Sequence, residues 1–306
     1  MSLDINKGMF TPVSKDTDSE RIVRPSLSYW QDAWRRLKKN KIAMASLFLI
    51  ITLGLLAIFG PYMRPFSYSD QSFADANKWP SLVHWFGTDD LGRDLWVRVW
   101  MGARYSLFIA IMAATIDLII GVIYGGISGY RGGKTDNIMM RIVEVLYAIP
   151  YLLVVILLMV VMGQGLLTII IALGSLGWMG MARLVRGQVM QLKEQEFVLA
   201  ARTLGASNNR ILFKHLVPNT LGVIIVNITF TIPSAIFAEA FLSFLGLGIP
   251  VPKASLGTLT NDALASLITG HTYQMFIPAA VISLIMLAFN LLGDGLRDAL
   301  DPRMRK

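Results

Sequence analysis

Three carboxylates, Asp117, Glu144 and Glu239, stand inside long runs of apolar residues. An aspartate at the centre of a membrane span costs about 2.5–3.5 kcal/mol, so each of these side chains needs a partner or a task. Two tasks suit them: lining a polar pathway through a helical bundle, or pairing with a nearby donor inside it. Glu144 has Arg141 one helical turn away and reads as the paired case. Asp117, near the middle of its run, and Glu239, deep in a later one, suit either role. Asn227 and Pro233 share the run of Glu239 and are further pathway candidates, although proline also simply kinks a helix.

Other chemistries are poorly served. The 306 residues include no cysteine, which excludes disulfides and thiolate metal or redox sites. His84, His215 and His271 are far apart and none has a second ligand at helical spacing, so no metal is expected. The nearest approach to a phosphate-binding loop is "SGYRGGKT" at 128–135, where Ser128 replaces the required glycine and an apolar helix replaces the required preceding strand. That segment reads as a turn, and nucleotide hydrolysis is not expected of this chain. Asp89, Asp90, Arg93 and Asp94 cluster ahead of Trp96 and Trp100. They suit either a docking surface or an interfacial helix with its own ion pairs and an aromatic belt, and tryptophan prefers that depth in any case.

The elements that must position these groups are membrane helices. Hydrophobic residues make up 54% of the chain, charged residues only 16%, and the mean hydropathy is +0.56. A helix spanning a hydrocarbon core of about 30 Å needs roughly 20 apolar residues. Six runs qualify, at about 42–62, 105–130, 138–162, 165–182, 219–246 and 275–296. The first is too long and too far from the start to be a cleaved leader. Gly163-Gln164-Gly165 alone separates the third and fourth, which predicts a tight hairpin. Gly121, Gly125 and Gly129 recur every four residues in the second and mark a face for close helix packing, within this subunit or with another.

An even number of spans puts both termini on one side. With that side cytoplasmic, 22 of the 28 Lys and Arg residues lie there, the asymmetry that cytoplasmic loops show. The net charge of +8 is thereby a topology signal rather than a sign of nucleic-acid binding. Residues 1–41 form an N-terminal cytoplasmic arm. Its first 27 residues are polar and irregular, and "YWQDAWRRLKKNK" at 29–41 sets Trp30, Trp34 and Leu37 opposite a basic face, as in a helix on the membrane surface. Residues 42–306 form the six-helix domain, including a cytoplasmic segment at 183–218.

Within that segment, "QEFVLAARTLGASNNRILFKHLVPN" at 195–219 places Phe197, Ala200, Ala201 and Leu204 on one apolar helix face. Gly205 is expected to end this helix in a left-handed turn, and Ser207 to cap a second one carrying Ile211, Leu212 and Leu216. Pro218 and Asn219 mark the entry to the next span.

This stretch resembles the cytoplasmic "EAA" loop of permease subunits in bacterial ATP-binding-cassette importers, with Leu199, Ala200, Ala201, Gly205 and Pro218 at the matching positions. Leu199 stands where the family has glutamate, which makes docking there more apolar, His215 where isoleucine is usual and Val217 where leucine is usual. "HWFGTDDLGRDLWVRVWMGARYSL" at 84–107, "MMRIVEVLYAIPYLLVVILLMVV" at 139–161, "AFLSFLGLGIPVP" at 240–252 and "NLLGDGLRDALDPRMRK" at 290–306 are similar to dipeptide and oligopeptide importers. Over roughly residues 28–306 the likeness is to the oligopeptide C-type permease.

The resemblance implies an all-α, six-span permease of the type I importer fold in the bacterial inner membrane. It also implies a second permease, two ATPase subunits that bind ATP and Mg, and an extracytoplasmic peptide-binding protein, with no cofactor held by this chain. Glu196, Leu199, Ala200, Ala201, Leu204, Gly205 and Pro218 would form the surface seated on an ATPase. Peptides carry charged termini, so a pathway for them needs groups such as Asp117, Asn227 and Glu239. Oligopeptides are the expected substrate, and dipeptide, nickel and glutathione systems share the motifs. An ATP-independent secondary transporter is the rival class, although such proteins usually show inverted repeats.

Overall fold

The computed structural model describes residues 28–301, and the polar tail read at residues 1–27 lies outside them. Among the described residues every regular element is a helix, apart from one isolated bridge between Thr88 and Asp94.

The arm helix α1 (Tyr29–Lys39) begins at a capping box in which Ser28 and Gln31 satisfy each other's backbone donors. It buries Ala33 and Leu37, and leaves Trp30 and Trp34 about half exposed. Asn40 caps the next helix, α2 (Lys41–Phe59). Pro61 ends that helix by lacking a donor, and its last carbonyls are taken by side chains from the next element. Arg104 donates to the carbonyls of Ala57 and Ile58 at 2.9 and 2.6 Å, and the Trp96 indole to that of Gly60 at 2.9 Å.

Those side chains belong to α3 (Leu95–Arg131), 37 residues capped by Asp94. At 1.5 Å per residue it is about 55 Å long, so it overshoots the hydrocarbon core. It is the axis of the bundle, packed against α2, against α6 (Leu166–Leu192) and against α8 (Asn208–Phe244). The glycine face meets α6 inside this subunit. A Cβ on Gly121 would lie 2.5 Å from that of Met181, one on Gly129 would lie 2.7 Å from the Arg186 carbonyl oxygen, and one on Gly125 would overlap the Ala182 backbone.

The third expected span is not one helix. It divides into α4 (Gly133–Tyr147) and α5 (Tyr151–Met162), bent by 80°. Pro150 is the cause, since it disfavours helical backbone at Ile149 and supplies no N–H of its own. The uninterrupted hydropathy of 138–162 hides this break. Gly163, at φ +79°, turns the chain from α5 into α6 as the hairpin reading requires.

Three other helices outrun their apolar windows. α3 starts at Leu95 rather than 105, α6 continues to Leu192 rather than 182, and α8 starts at Asn208 rather than 219. Hydropathy reports the lipid-embedded part, and the backbone stays helical beyond it until a breaker intervenes. Pro218 is not one here. Its helix widens into a π-helical stretch, Ile211–Leu216, and Asn219 donates to the His215 carbonyl at 2.5 Å. The bundle closes with short helices α9 (Leu256–Asp262) and α10 (Leu264–Ile268) and the long α11 (Tyr273–Leu300). Five described helices are long and apolar enough to cross a membrane, and the bent pair makes six.

Candidate functional site

Side chains of the four helices α3, α5, α6 and α8 line an open-sided cavity of about 300 Å³. Its walls are mostly Ala113, Leu173, Leu176, Ala235 and Ala238, with Asp117, Tyr151, Thr231 and Ser234 as the polar groups. Asp117 is 6% exposed, and its buried Oδ1 has no hydrogen-bond partner among the described residues. The Tyr151 hydroxyl, also buried, is likewise unpartnered. Thr231 and Ser234 bond back to the Asn227 and Phe230 carbonyls of their own helix.

Local sequence explains the placement. Tyr151 follows Pro150, so the break between α4 and α5 sets its ring at a helix start within the bundle. Gly177 leaves room for Asp117, because a Cβ there would collide with the carboxylate. Burying an ionisable group with no counter-charge is destabilising unless something arrives to meet it. The arrangement is therefore suited to receiving a polar or cationic group at membrane depth.

Glu239 occupies a different setting. It is 1% exposed and accepts hydrogen bonds from Ser106 at 2.9 Å and Ser243 at 2.8 Å. Ser106 in turn accepts the Leu256 N–H at 3.2 Å, so the cluster joins α3, α8 and the start of α9. Glu239 is thus enclosed by donors rather than open to the Asp117 cavity. Removing it would orphan buried hydroxyls at about 1–3 kcal/mol each. Glu239→Ala should lower the thermal midpoint in detergent by several degrees, and Glu239→Gln, which keeps an acceptor, should lower it less. Asn227 is half-buried and is not among the cavity's lining residues.

The polar stretch at 195–219 forms a second surface. Helix α7 (Glu196–Thr203) ends in a glycine turn: Gly205, at φ +78°, donates to Arg202, and Ala206 donates to Ala201. Ser207 then caps α8. These two bonds are the reciprocal pair of a left-handed helix stop, which needs glycine at its centre. The apolar face does not pack as the spacing suggests. Val198, at 0% exposure, is the residue that enters the core, with Ala201 partly buried beside it. Phe197, Leu199 and Leu204 are 40%, 63% and 87% exposed, and Ala200 and Glu196 are exposed with them. Leu204 already lies beyond the last helical turn, so helical periodicity no longer governs it.

Val198 packs with Val185 and Val189 of α6 and Ile211, Leu212 and Leu216 of α8. Tyr130 at the end of α3 donates to Asn208 at 2.8 Å and lies under Arg202. The short helix is therefore fastened to α3, α6 and α8, three of the four helices that wall the Asp117 cavity.

Two charged clusters complete the picture. Arg186 grips Asp136 through both carboxylate oxygens, at 2.5 and 2.6 Å, and Ser128 donates to the same group at 2.6 Å. Sequence reading missed this pair, whose partners are 50 residues apart and sit at the margins of their apolar runs. At the other end of α3, Arg93 meets Asp89 at 2.6 Å, Arg98 approaches the same carboxylate at 3.3 Å, and His84 contacts Asp94 at 2.8 Å. Trp85, Trp96 and Trp100 stack edge to face behind them. That cluster has the internal ion pairs and aromatic belt of an interfacial helix. A wider groove of about 830 Å³ between α4 and α6 has Arg141 paired with Glu144, Arg186 paired with Asp136, and Arg183 lying over the Tyr147 ring. Residues 128–135 form the corner between α3 and α4, with Ser128 committed to Asp136. Among the described residues no group of three His, Asp or Glu side chains is placed to hold a metal.

Residues 118–306 match the family described as binding-protein-dependent transport system inner membrane component. Residues 28–80 match that described as the N-terminal TM domain of oligopeptide transport permease C. The dipeptide transport system permease protein DppC of Bacillus subtilis is 60% identical over 292 residues, covering 95% of this chain and 91% of that protein. The oligopeptide transport system permease protein OppC of the same organism is 56% identical over 304 residues, covering 99% of each. OppC of Escherichia coli is 43% identical over 289 residues, covering 94% of this chain and 95% of that protein.

Proposed function

Because the chain belongs to the family of binding-protein-dependent transport system inner membrane components, we propose that it is one of two different permeases in an ATP-driven importer of peptides, with oligopeptides as its substrate. Both termini and α7 face the cytoplasm of a bacterial cell, as the Lys and Arg distribution favours. A pair of ATPase subunits binds ATP and Mg and performs the hydrolysis, and a peptide-binding protein delivers substrate at the face bearing Arg93 and Trp96. This chain supplies half of the pathway and the lever that moves it. The relatives' names support peptides as the substrate class, and they include both dipeptide and oligopeptide systems.

The observation that carries the reading is the two-sidedness of α7. Val198 fastens it to α6 and α8, while Phe197, Leu199, Ala200 and Leu204 are exposed among the described residues. Apolar side chains held out on a cytoplasmic helix are suited to a groove on another protein. A displacement of that groove reaches the cavity helices because packed interfaces shift as units rather than deform. Cysteines placed at Ala200 and Ala201, in a chain with no other cysteine, test the contact directly. Crosslinks to an ATPase subunit that change when ATP is added are expected, and well-expressed protein without such crosslinks would refute it.

Gly205→Pro should remove the left-handed turn and the Gly205 to Arg202 bond together. Uptake is expected to fall at least about tenfold, equivalent to 1.4 kcal/mol of coupling, with membrane insertion retained. Wild-type uptake in this variant would show that the turn transmits nothing.

A further inference from the structure

The Asp117 cavity has more chemistry than a passage needs. Asp117 of α3 and Tyr151 of α5 line it, and each has a buried oxygen with no hydrogen-bond partner among the described residues. No Lys, Arg or His is among its lining residues. A carboxyl group at this depth with no counter-charge is stabilised in its ionised form by a cation, and the Tyr151 hydroxyl, in the lining of the same cavity, offers a second acceptor. Gly177 shapes the site, since any side chain there would push the carboxylate out of place. The remaining wall is alanine and leucine side chains with Thr231 and Ser234, whose hydroxyls are turned to their own helix backbone, so it offers no charge to read a particular side chain.

We infer that Asp117 and Tyr151 form an ammonium-binding subsite that takes the free amino terminus of a peptide in transit. This rests on the importer reading above. The ammonium donates to Asp117 Oδ1 and to the Tyr151 hydroxyl oxygen, while the peptide's side chains lie against Ala113, Ala235 and Ala238. The amino terminus is the one positive group that unblocked peptides share, so the site selects for peptides without selecting among sequences. Because Tyr151 opens α5 directly after the Pro150 break, reorienting α5 against α3 separates the two acceptors and releases the ligand.

The test uses the complete complex, with its partner permease, ATPases and binding protein, in proteoliposomes. ATP-driven uptake is measured for a tripeptide and for its des-amino analogue, each at a concentration that saturates the binding protein. The wild type should carry the amino form at least about tenfold faster, the factor that 1.4 kcal/mol represents. Asp117→Asn should bring the two rates within about twofold by slowing the amino form, since a charge-assisted bond is lost. Tyr151→Phe and Gly177→Ala should each reduce the preference, and Asp117→Glu should restore part of it. A preference unchanged in both Asp117→Asn and Tyr151→Phe overturns the subsite. If Asp117→Asn does not assemble, Tyr151→Phe and Gly177→Ala decide, and an unchanged ratio in both overturns it equally. A wild-type complex that moves neither peptide on ATP refutes the importer reading instead.

Discussion

Gly125→Leu is expected to eliminate folded permease from the membrane. A Cβ at this position overlaps the Ala182 backbone, which is helix main chain and cannot rotate away as a side-chain tip could. The two helices must part, and parting at Gly125 also opens the seam at Gly121 and Gly129, where α3 and α6 touch through backbone and Cβ atoms. Overpacking a filled site costs about 1–3 kcal/mol where neighbours can adjust. Here they cannot, and the loss should exceed that range. The measurement is the monodisperse fraction of fluorescently tagged protein after detergent extraction, expected to fall below about a tenth of wild type, the ratio set by 1.4 kcal/mol. Gly54→Leu is the control, since a Cβ on Gly54 of α2 meets nothing within 4 Å. Equal yields from the two variants would mean that the close approach is not needed for folding.

The second large effect concerns Arg186. Replacing it with alanine leaves Asp136 with the Ser128 hydroxyl and the more distant Lys193 ammonium but no direct ion-pair partner. Breaking one side of a buried ion pair typically costs about 3–5 kcal/mol, mostly because the remaining charge is stranded. Arg186→Ala and Asp136→Ala should each sharply reduce thermal stability in detergent, Asp136→Ala less, since arginine is partly exposed and can reach water. The double replacement should recover a good part of the loss. Additive losses in the double variant would show that the two side chains act independently, contrary to their bidentate geometry.

The contrast between these two sites explains what could be read from the chain beforehand. Gly121, Gly125 and Gly129 lie four residues apart on one helix, so their shared face is written in a local period. Its partner α6 is not, because nothing local connects Gly125 to Ala182. Asp136 and Arg186 show the same limit more severely: each looks like an ordinary charge at the edge of a span until the fold brings them together. Asp117 was legible as an acid in an apolar run, whereas Tyr151 looked like one more aromatic residue in a continuous hydrophobic segment. Only the break at Pro150, invisible to hydropathy, gives it a place at the cavity.

The stretch at 195–219 divides along the same line. Gly205 and Ser207 act through their own backbone and side-chain geometry, so the turn and the cap were readable. The inward residue was not, because Phe197, Ala200, Ala201 and Leu204 satisfy helical spacing as well as Val198 and Ala201 do. Which face turns inward depends on the pocket made by Val185, Val189 and Ile211. Glu239 likewise suited both pairing and pathway until Ser106 and Ser243 were seen around it.

Anchoring α7 through Val198 has a consequence for how such permeases diverge. Since the fold draws on one side of the helix only, residues on the other side are free to change without disturbing the bundle. If α7 seats on an ATPase as proposed, a copy altered at Leu199 and Leu204 after gene duplication would keep its stability while its fit to that ATPase changed. On that proposal, the allegiance of a permease to its motor would be separable, residue by residue, from its ability to exist in the membrane.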